Sequence, residues 1–358
     1  MFTIDGNFHN NILYGVNQIV EKYPDTSLES RVQGTFPKGD QFGEIKENSD
    51  ILSLRKAAQA HREVRAFIQP MLKPGLEMNH LVNELENKTK RLLNNQGINK
   101  GIGFPTCISI NNCVAHWSTN NINKKILKKN DILNIDFGTE VNGWIIDCAF
   151  TVCFNPEFLP ILESSKEGTY TGIKNAGVDV RLSEWGESIR EVIESYQCTI
   201  NNKTYDIKTV KNLGGHNILQ GKIHGGEFLP LFKLNTDAKM KEGIYAIETF
   251  ATTGQGWATE DKDNNTLFAL SDFDSNKIKL PKTKKIYNSL KKKFGTIPFS
   301  SRYYDKKYNS QVNYLSKIGA INKYPPLYDL QNSYSAQYEH TVCIQDGKKE
   351  ILSKGKDY

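Results

Sequence analysis

Apolar residues recur with a helical period early in the chain. In "ILSLRKAAQAHREVRAFIQ" (51–69) they return every three or four positions, which predicts an amphipathic helix that ends before Pro70. A second helix is predicted over 79–95, with Asn79 as its N-cap. Residues 1–50 show little period and much Gly, Asn and Pro, so we expect an extended N-terminal segment there.

Strand patterns follow these two helices. The segments "CISINNCVAHWS" (107–118) and "NIDFGTEVNGWIIDCAF" (134–150) combine β-branched, aromatic and apolar residues. Helix, helix and strands then recur in the same order. The recurring elements are predicted at about 159–176, 183–196, 198–224 and 243–252. This order predicts two similar halves and an α+β fold, in which helices cover an antiparallel sheet.

The segment 134–150 contains an Asn-Gly pair at 142–143, which is a strong signal for a tight β-hairpin. The turn sets a register in which Asp147 lies opposite Gly138, and Asp136 lies opposite Ala149. The two aspartates then share one face, roughly 7 Å apart at the backbone, and the glycine leaves space between them. Two carboxylates aimed at one point need a cation or a proton. Two solvated carboxylates remain an open alternative for the hairpin alone.

Residues 257–330 break the pattern of the two halves. They are polar and rich in lysine, and "KKIYNSLKKKF" and "NSQVNYLSKIG" predict two helices. Strand character returns at 333–346. We therefore predict an N-terminal segment, a main domain and an inserted helical subdomain. The three parts comprise 1–50, then 51–256 with 331–358, and 257–330.

Composition limits the class of protein. The chain has 358 residues, 38% of them hydrophobic, and a mean hydropathy of −0.53. No stretch approaches the ~18 apolar residues of a membrane span. The N-terminus has no basic start followed by an apolar run, so it does not predict a signal peptide. Six cysteines without a CxxC pair indicate reduced thiols. We expect a soluble cytoplasmic protein without a membrane partner.

The net charge of +6 is mild, but eight lysines fall within 277–295. A solvated lysine-rich surface is the favoured interpretation, because no interleaved aromatic or arginine motif specifies nucleic acid. Docking of this lysine cluster on ribosomal RNA stays open as an additional role.

Three further segments carry candidate metal ligands. "NLGGHNILQGKIHGG" presents His216 after a Gly-Gly pair, and two strand-like segments present Glu248 and Glu339. Each residue alone is more commonly structural or exposed to solvent. Together with the two aspartates of the hairpin they form four carboxylates and one imidazole. That charge would balance two divalent ions, so the set predicts a dinuclear site able to generate hydroxide near neutral pH.

The ordered motifs "NIDFGT", "IIDCAF", "NLGGH", "YAIETF" and "YEHT" resemble those of the type 2 methionine aminopeptidases. "FPTCISINNCVAHWSTN", "YPPLYDL" and the terminal "GKDY" extend the resemblance over nearly the whole chain. It implies the pita-bread fold, with two pseudosymmetric halves around a dinuclear site. It also implies a winged-helix-like insertion, which would be residues 257–330.

The resemblance also implies roles at the site. Asp136 would chelate one metal ion, Asp147 and Glu339 would bridge both ions, and His216 and Glu248 would bind the other. Glu248 would also act as acid and base. The ions would be Co, Mn, Fe or Zn, and they would hold the hydroxide that attacks the peptide bond.

Residues near the substrate are implied in the same way. Two histidines would contact the scissile amide without binding metal, three residues would line the methionine pocket and two would form its rim. These are His116 and His224, then Phe104, Leu213 and Phe250, then Tyr324 and Leu327. The expected activity is removal of the initiator methionine from nascent polypeptides with a small second residue, by a monomer.

Two features depart from the family pattern. Gly214 stands where many members have asparagine, and "GWATEDKDNNTLFAL" lacks histidines seen there in some relatives. Both changes bear on pocket shape. The alternatives are an Xaa-Pro aminopeptidase or prolidase, and a non-catalytic pita-bread protein that binds RNA or protein. The long insertion and the "YPPL" loop argue against the first, and the complete ligand set argues against the second.

Overall fold

The computed structural model describes residues 13–16, 41–94, 100–120 and 124–358. Most of the predicted N-terminal segment 1–50 therefore lies outside the described residues. The described residues form six α-helices: α1 (Ser49–Ile68), α2 (Met78–Leu92), α3 (Leu159–Asn175), α4 (Leu182–Glu194), α5 (Pro281–Phe294) and α6 (Asn309–Lys317). None of these helices has the length and apolar character needed to cross a membrane.

Eighteen strands complete the described structure. They are β1 (Gln41–Phe42), β2 (Lys100–Ile110), β3 (Cys113–Ala115), β4 (Ile132–Val141), β5 (Trp144–Cys153), β6 (Gln197–Ile200), β7 (Lys203–Asp206), β8 (Lys208–Thr209), β9 (Gly214–Ile218), β10 (Phe228–Pro230), β11 (Gly243–Thr252), β12 (Thr259–Glu260), β13 (Leu267–Leu270), β14 (Phe299–Ser300), β15 (Ile321–Tyr324), β16 (Leu327–Tyr328), β17 (Ser335–Gln345) and β18 (Lys348–Ile351).

The predicted helices are confirmed to within a few residues at their ends, but one predicted cap is wrong. Helix α2 begins at Met78, so Asn79 lies within its first turn and is not the N-cap. The backbone before the helix is fixed from outside. Glu77 is extended and bridges to Ile126, and the Met78 N–H donates to the Lys125 carbonyl at 2.9 Å. These long-range bonds outweigh the local capping preference of asparagine.

The hairpin of β4 and β5 has the predicted register. Asp147 pairs with Gly138, and Asp136 pairs with Ala149. The turn residues Asn142 and Gly143 have φ values of 54° and 85°, as an Asn-Gly hairpin turn requires. The prediction that the two aspartates share one face of the hairpin is confirmed.

Glycine is needed at position 138 for a different reason from the one predicted. A Cβ placed there would collide with the ring of Phe104, which pairs with Gly138 across β2 and β4. The ring therefore occupies the space that the glycine leaves. The predicted open gap between the aspartates is wrong, because a neighbouring strand supplies an aromatic side chain to fill it.

Strand β2 starts seven residues earlier than predicted. It contains Pro105, which cannot donate a ladder hydrogen bond and is tolerated because β2 lies at the edge of its sheet. The pairing of β2 with β4 shifts register between Ile102 and Phe104 and again between Phe104 and Cys107. These irregularities accommodate the proline. The predicted segment 107–118 is also interrupted by a turn at Asn111, where φ is 58°.

Two helices precede three central strands in each half. Helices α1 and α2 precede the sheet of β2, β4 and β5, and α3 and α4 precede β9, β11 and β17. These last three strands belong to a seven-stranded sheet in the order β1-β18-β17-β11-β9-β10, with β8 also paired to β11. Helix α3 is fixed to this sheet because the Ser165 hydroxyl donates to the Thr249 carbonyl at 3.0 Å.

Threonine hydroxyls join the two sheets between β5 and β17. The Asp147 N–H donates to Thr341 Oγ1 at 2.8 Å, and this hydroxyl donates to the Asp147 carbonyl at 2.6 Å. Thr151 exchanges a similar pair of hydrogen bonds with Gln337. The two strands therefore run side by side, and Asp147 of one half is held close to Glu339 of the other.

The segment predicted as an insertion has an apolar cluster of its own. The cluster includes Phe268, Ile286, Leu290, Phe299 and Leu315. Besides the two predicted helices, α5 and α6, this segment contains a three-stranded sheet in the order β14-β13-β15. The domain division at 257 and 330 stays a prediction.

Candidate metal centre

A cavity of about 340 Å³ opens where the two sheets meet. All predicted site residues except Leu327 line it. They are Phe104, His116, Asp136, Asp147, Leu213, His216, His224, Glu248, Phe250, Tyr324 and Glu339. Leu327 instead lies in β16, where it pairs with Ala115 and joins the apolar core. The chain therefore brings together residues separated by up to 235 positions only through the contact between the sheets.

Three ligand atoms converge most closely. One atom each of Asp147, His216 and Glu339 lies within 4.8 Å of the other two. His216 Nε2 is 3.5 Å from Asp147 Oδ2 and 3.9 Å from Glu248 Oε1. The His216 Nδ1 is 3.3 Å from the Asn217 carbonyl. Because a carbonyl can only accept, that contact puts the proton on Nδ1 and leaves the Nε2 lone pair facing the carboxylates.

Some carboxylate oxygens at this site have no partner. Among the described residues, the buried Asp136 Oδ1 and Glu339 Oε1 receive no hydrogen bond. Glu248 Oε2 accepts a hydrogen bond from Gln337 Nε2 at 3.3 Å. Buried polar atoms are normally satisfied, so carboxylate oxygens without partners beside an imidazole indicate a site suited to a cation. Hard oxygen donors with one imidazole fit divalent ions such as Mn, Fe, Co or Zn.

The pKa values of the ligand residues also indicate a cation site. Burial, and then the neighbouring carboxylates, hold the pKa values of Asp136, Glu248 and Glu339 well above their ordinary values. Burial raises the pKa of Asp147 to about 7 and lowers the pKa of His216 to about 4. Without a cation the carboxylates therefore favour their protonated forms, while the imidazole stays neutral and able to bind a metal.

Two further histidines lie beside the ligand cluster. The His224 ring centre is 4.4 Å from that of His216, and Tyr324 is in ring contact with both His116 and His224. Burial lowers the pKa of His116 to about 4 and that of His224 to about 3. Both are neutral near pH 7. His116 also has a φ of 64°, a left-handed conformation that is uncommon outside glycine and recurs at functional sites.

Part of the cavity wall is apolar and buried. It contains Phe104 and Phe250, which are 8% and 3% exposed, and we call it the closed end of the cavity. Leu267 also lines the cavity, and it belongs to the segment that lacks the family's histidines. The other departure, Gly214, lies where β10 crosses closely, because a Cβ there would collide with the Leu229 carbonyl.

Several residues that line the cavity were not identified from the sequence, and three of them, Gln337, Cys107 and Phe228, show why. Gln337 was detectable, because it precedes Glu339 by two positions in a strand and so shares its face. Cys107 pairs with Asp136 across β2 and β4, a register that the bulges around Pro105 concealed. Phe228 carried no signal, because a three-residue strand is too short to show a period.

Comparison with known proteins agrees with this geometry. Residues 53–346 match metallopeptidase family M24. Methionine aminopeptidase 2 of Schizosaccharomyces pombe is 43% identical over 310 residues, which cover 85% of this chain and 73% of that protein.

Two solved structures are similar in fold. A thermophilic Arx1 has a TM-score of 0.73 at 16% identity, with 88% of this chain and 93% of that chain covered. Methionine aminopeptidase from Thermotoga maritima has a TM-score of 0.59 at 18% identity, with 87% and 99% covered. The predicted α+β pita-bread fold is confirmed. The chain belongs to metallopeptidase family M24, in its methionine aminopeptidase 2 branch.

Proposed function

We propose that this enzyme removes the N-terminal methionine from nascent polypeptides with a small second residue, in the cytoplasm and as a monomer. One observation carries the proposal. Ligand atoms of Asp147, His216 and Glu339 converge within 4.8 Å beside an apolar cavity, in a chain that is 43% identical to a methionine aminopeptidase 2. The family of metallopeptidases implies that divalent metal is required, and the number and identity of the ions are part of the proposal.

The residues that would hold the metal are those of the ligand set. Asp136 would bind one ion, Asp147 and Glu339 would lie between two ions, and His216 with Glu248 would bind the second. Four ionised carboxylates would balance the charge of two divalent ions. When bound, such ions supply Lewis acidity that polarises the scissile carbonyl.

Glu248 is the candidate for proton transfer. Its Oε2 is held by Gln337 and its Oε1 faces His216, so the carboxyl group has a fixed orientation within the ligand cluster. An ionised carboxylate in such a position can accept a proton from water and pass it on. It would take a proton from the attacking water and deliver it to the leaving amine.

His116 and His224 would position the substrate. With pKa values of about 4 and 3, they are neutral at working pH and cannot serve as proton reservoirs. Each neutral imidazole has one N–H to donate. These donors would hold the scissile amide and stabilise the charge that develops on it.

The closed end of the cavity would take the methionine side chain. Phe104, Leu213 and Phe250 line it, and Tyr324 lies nearer the histidines. Contacts between sulfur and aromatic rings would favour methionine by about 0.3–1.5 kcal/mol each. The predicted contribution of Leu327 would be indirect, through its pairing with Ala115 next to His116.

A peptidase assay tests the proposal. Purified protein is incubated with Met-Ala-Ser, Met-Leu-Ser and Ala-Pro peptides, with chelator or with added Mn, Co or Fe. We expect metal-dependent release of methionine from Met-Ala-Ser and much slower release from Met-Leu-Ser. Failure to release methionine with any metal would contradict the proposal. Cleavage of Ala-Pro instead would support an Xaa-Pro peptidase.

The lysine cluster at 277–295 would supply a second contact, with ribosomal RNA. Helix α5 buries Ile286 and Leu290 and exposes Lys282, Lys285 and Lys292, so its charged face is open to an anionic partner. Sedimentation with ribosomes should then occur at low salt and be lost at high salt. Absence of binding at low salt, or binding that salt does not weaken, would contradict this contact.

A further inference from the structure

Phe228 is unusual among the apolar residues of this protein. Seven large apolar side chains are exposed in the described part of the chain, and Phe228 is the one among them that lines the cavity. Its side chain is 45% exposed, whereas Phe104 and Phe250 are almost fully buried. An isolated exposed apolar residue is ordinary on a protein surface. An exposed aromatic ring in the wall of a substrate cavity indicates contact with a ligand.

The position of Phe228 is fixed by strand pairing. It lies on β10 directly opposite His216 of β9. Directly paired residues in an antiparallel sheet present their side chains on the same face, so the ring stands on the face that carries the metal ligand. The ring leans over Gly214, because a Cβ at that position would lie 3.1 Å from both Cε2 and Cζ of Phe228. The glycine therefore leaves the space that the ring partly fills.

The two ends of the cavity give the ring a place along the substrate. Phe104 and Phe250 of the closed end are buried, whereas Phe228 in the same cavity wall is exposed, so its ring faces solvent at what we call the open end. This step rests on the proposed function, in which the N-terminal methionine occupies the closed end. The rest of the peptide must then leave past the open end. The second residue carries the amide nitrogen at the ligand cluster and has a small side chain, so the third residue is the first with a side chain long enough to pack on the ring.

We propose that Phe228 is a specificity-determining residue that contacts the third residue of the substrate and favours an apolar side chain there. Gly214 is its complement, since it keeps β9 free of a side chain beneath the ring. Apolar burial between the two side chains supplies the preference. The preference adds to the requirement for a small second residue and does not alter it.

Peptides that differ at one position test this proposal. Values of kcat and KM are measured for Met-Ala-Ser-Gly, Met-Ala-Leu-Gly and Met-Ala-Phe-Gly with the metal-loaded enzyme. The wild type should show kcat/KM about tenfold higher for the leucine and phenylalanine peptides than for the serine peptide, mainly through KM. In Phe228→Ala the ratio should fall to about one. Phe228→Leu, which keeps an apolar side chain, should retain most of it.

The control variant is Leu52→Ala, which removes a similarly exposed apolar side chain on α1, outside the cavity wall. It should keep the wild-type ratio. Equal kcat/KM values for all three peptides in the wild type would overturn the inference alone, as would a ratio that survives in Phe228→Ala. If Phe228→Ala does not fold, Phe228→Ser and Phe228→Leu replace it, and the ratio should again follow the apolar side chain. Absence of cleavage of every peptide would overturn the proposed function, and the inference with it.

Discussion

Strands β5 and β17 carry ionisable side chains on both faces. The two faces differ in whether their polar groups all have hydrogen-bond partners. Asp147 and Glu339 point toward the cavity, whereas their neighbours Cys148 and His340 point away, because side chains alternate along a strand. We call the five candidate ligands the front cluster. The back cluster consists of Arg65, Cys148, Ser353, Asp357 and Tyr358. Arg65 and Glu339 are fully buried and the side chain of Asp357 is only 13% exposed, so solvent supplies little of the bonding in either cluster.

The polar groups of the back cluster have hydrogen-bond partners within the protein. Arg65 donates to both oxygens of Asp357 at 2.8 Å and to the Ser353 carbonyl at 2.9 Å. The Tyr358 hydroxyl donates to the Ala149 carbonyl at 2.8 Å and lies 2.9 Å from Cys148 Sγ. A buried ion pair with its hydrogen bonds complete is stable, although removal of one partner is costly.

The front cluster leaves its carboxylates incompletely bonded. Asp136 Oδ1 and Glu339 Oε1 are without partners among the described residues, and the pKa values of the cluster's acids are raised by burial. Burial of charge alone therefore does not mark a functional site in this protein. The distinguishing feature is the unfilled bonding capacity, which the back cluster lacks. Mutations on the two faces should therefore differ in kind.

The largest expected effect is on activity, at the front. Asp136→Asn should lose metal and reduce kcat/KM on the order of 10⁴-fold, because it removes a charged ligand from the metal centre. The metal-free protein should keep or slightly raise its Tm, since the substitution relieves repulsion among buried carboxylates. Methionine release, metal content and Tm in chelator are the measurements. A Tm that falls by many degrees would contradict the view that the front cluster is dispensable for folding.

The next effect is on stability, at the back. Arg65→Leu should lower the free energy of unfolding by about 3–5 kcal/mol, because it removes a fully buried guanidinium and leaves the largely buried Asp357 without its charged partner. Denaturant unfolding in chelator measures this loss. The double variant Arg65→Leu with Asp357→Leu should recover part of it, since no unpaired charge remains. Equal stabilities for the single and double variants would show that the ion pair is not the cause.

Substitution of a histidine tests where the front cluster ends. His224→Ala should reduce kcat on the order of 10²-fold, as expected when a hydrogen-bond donor to the transition state is lost. Metal content per chain should be unchanged, because His224 adjoins the ligands without belonging to them. Metal analysis beside the kinetics decides the matter. A metal-depleted His224→Ala would extend the ligand set to this residue.

The effect of pH on metal affinity should be smaller than these effects, and it should be specific to the front cluster. The pKa of Asp147 in the metal-free protein is about 7, so a metal ion must displace a proton below that pH. Affinity should therefore rise about tenfold from pH 5 to 6 for the Asp147 proton alone, and more steeply when Asp136, Glu248 and Glu339, whose pKa values are also raised, release protons as well. His216, with a pKa of about 4, is already neutral in this range and adds nothing. Calorimetry in buffers of different ionisation enthalpy counts the protons, and zero release at pH 6 would contradict this assignment.

The smallest effect concerns the C-terminal residue. Tyr358→Phe removes the hydrogen bond to Ala149 but keeps the ring near Arg65, whose guanidinium carbon is 4.7 Å from the ring centre. The free energy of unfolding should fall by about 1 kcal/mol. Tyr314→Phe on α6 is the matched control and should change stability by less than about 0.5 kcal/mol. Similar losses of stability for both variants would show that the Tyr358 hydrogen bond does not contribute more than an ordinary tyrosine hydroxyl.

Features that depend on local chemistry could be predicted before the fold was known. The Asn-Gly turn specified the register that places Asp136 and Asp147 on one face, since only a few turn types join two strands so tightly. Helical period predicted α1, α3 and α5, and ordered motifs identified the family. The ligand types were also readable, because four carboxylates and one histidine in apolar segments are together unusual, although each alone is not.

Tertiary structure alone decided the features that depend on neighbours distant in the chain. The ring of Phe104 fills the space at Gly138, and Phe228 reaches the cavity over Gly214. Leu327 joins the core, and the hydrogen bond from the Met78 N–H to the Lys125 carbonyl determines where α2 begins. The back cluster joins residues from α1 to the C-terminus. No local period encodes such contacts, because they form only when the two halves pack together and each buried polar atom finds its partner or remains without one.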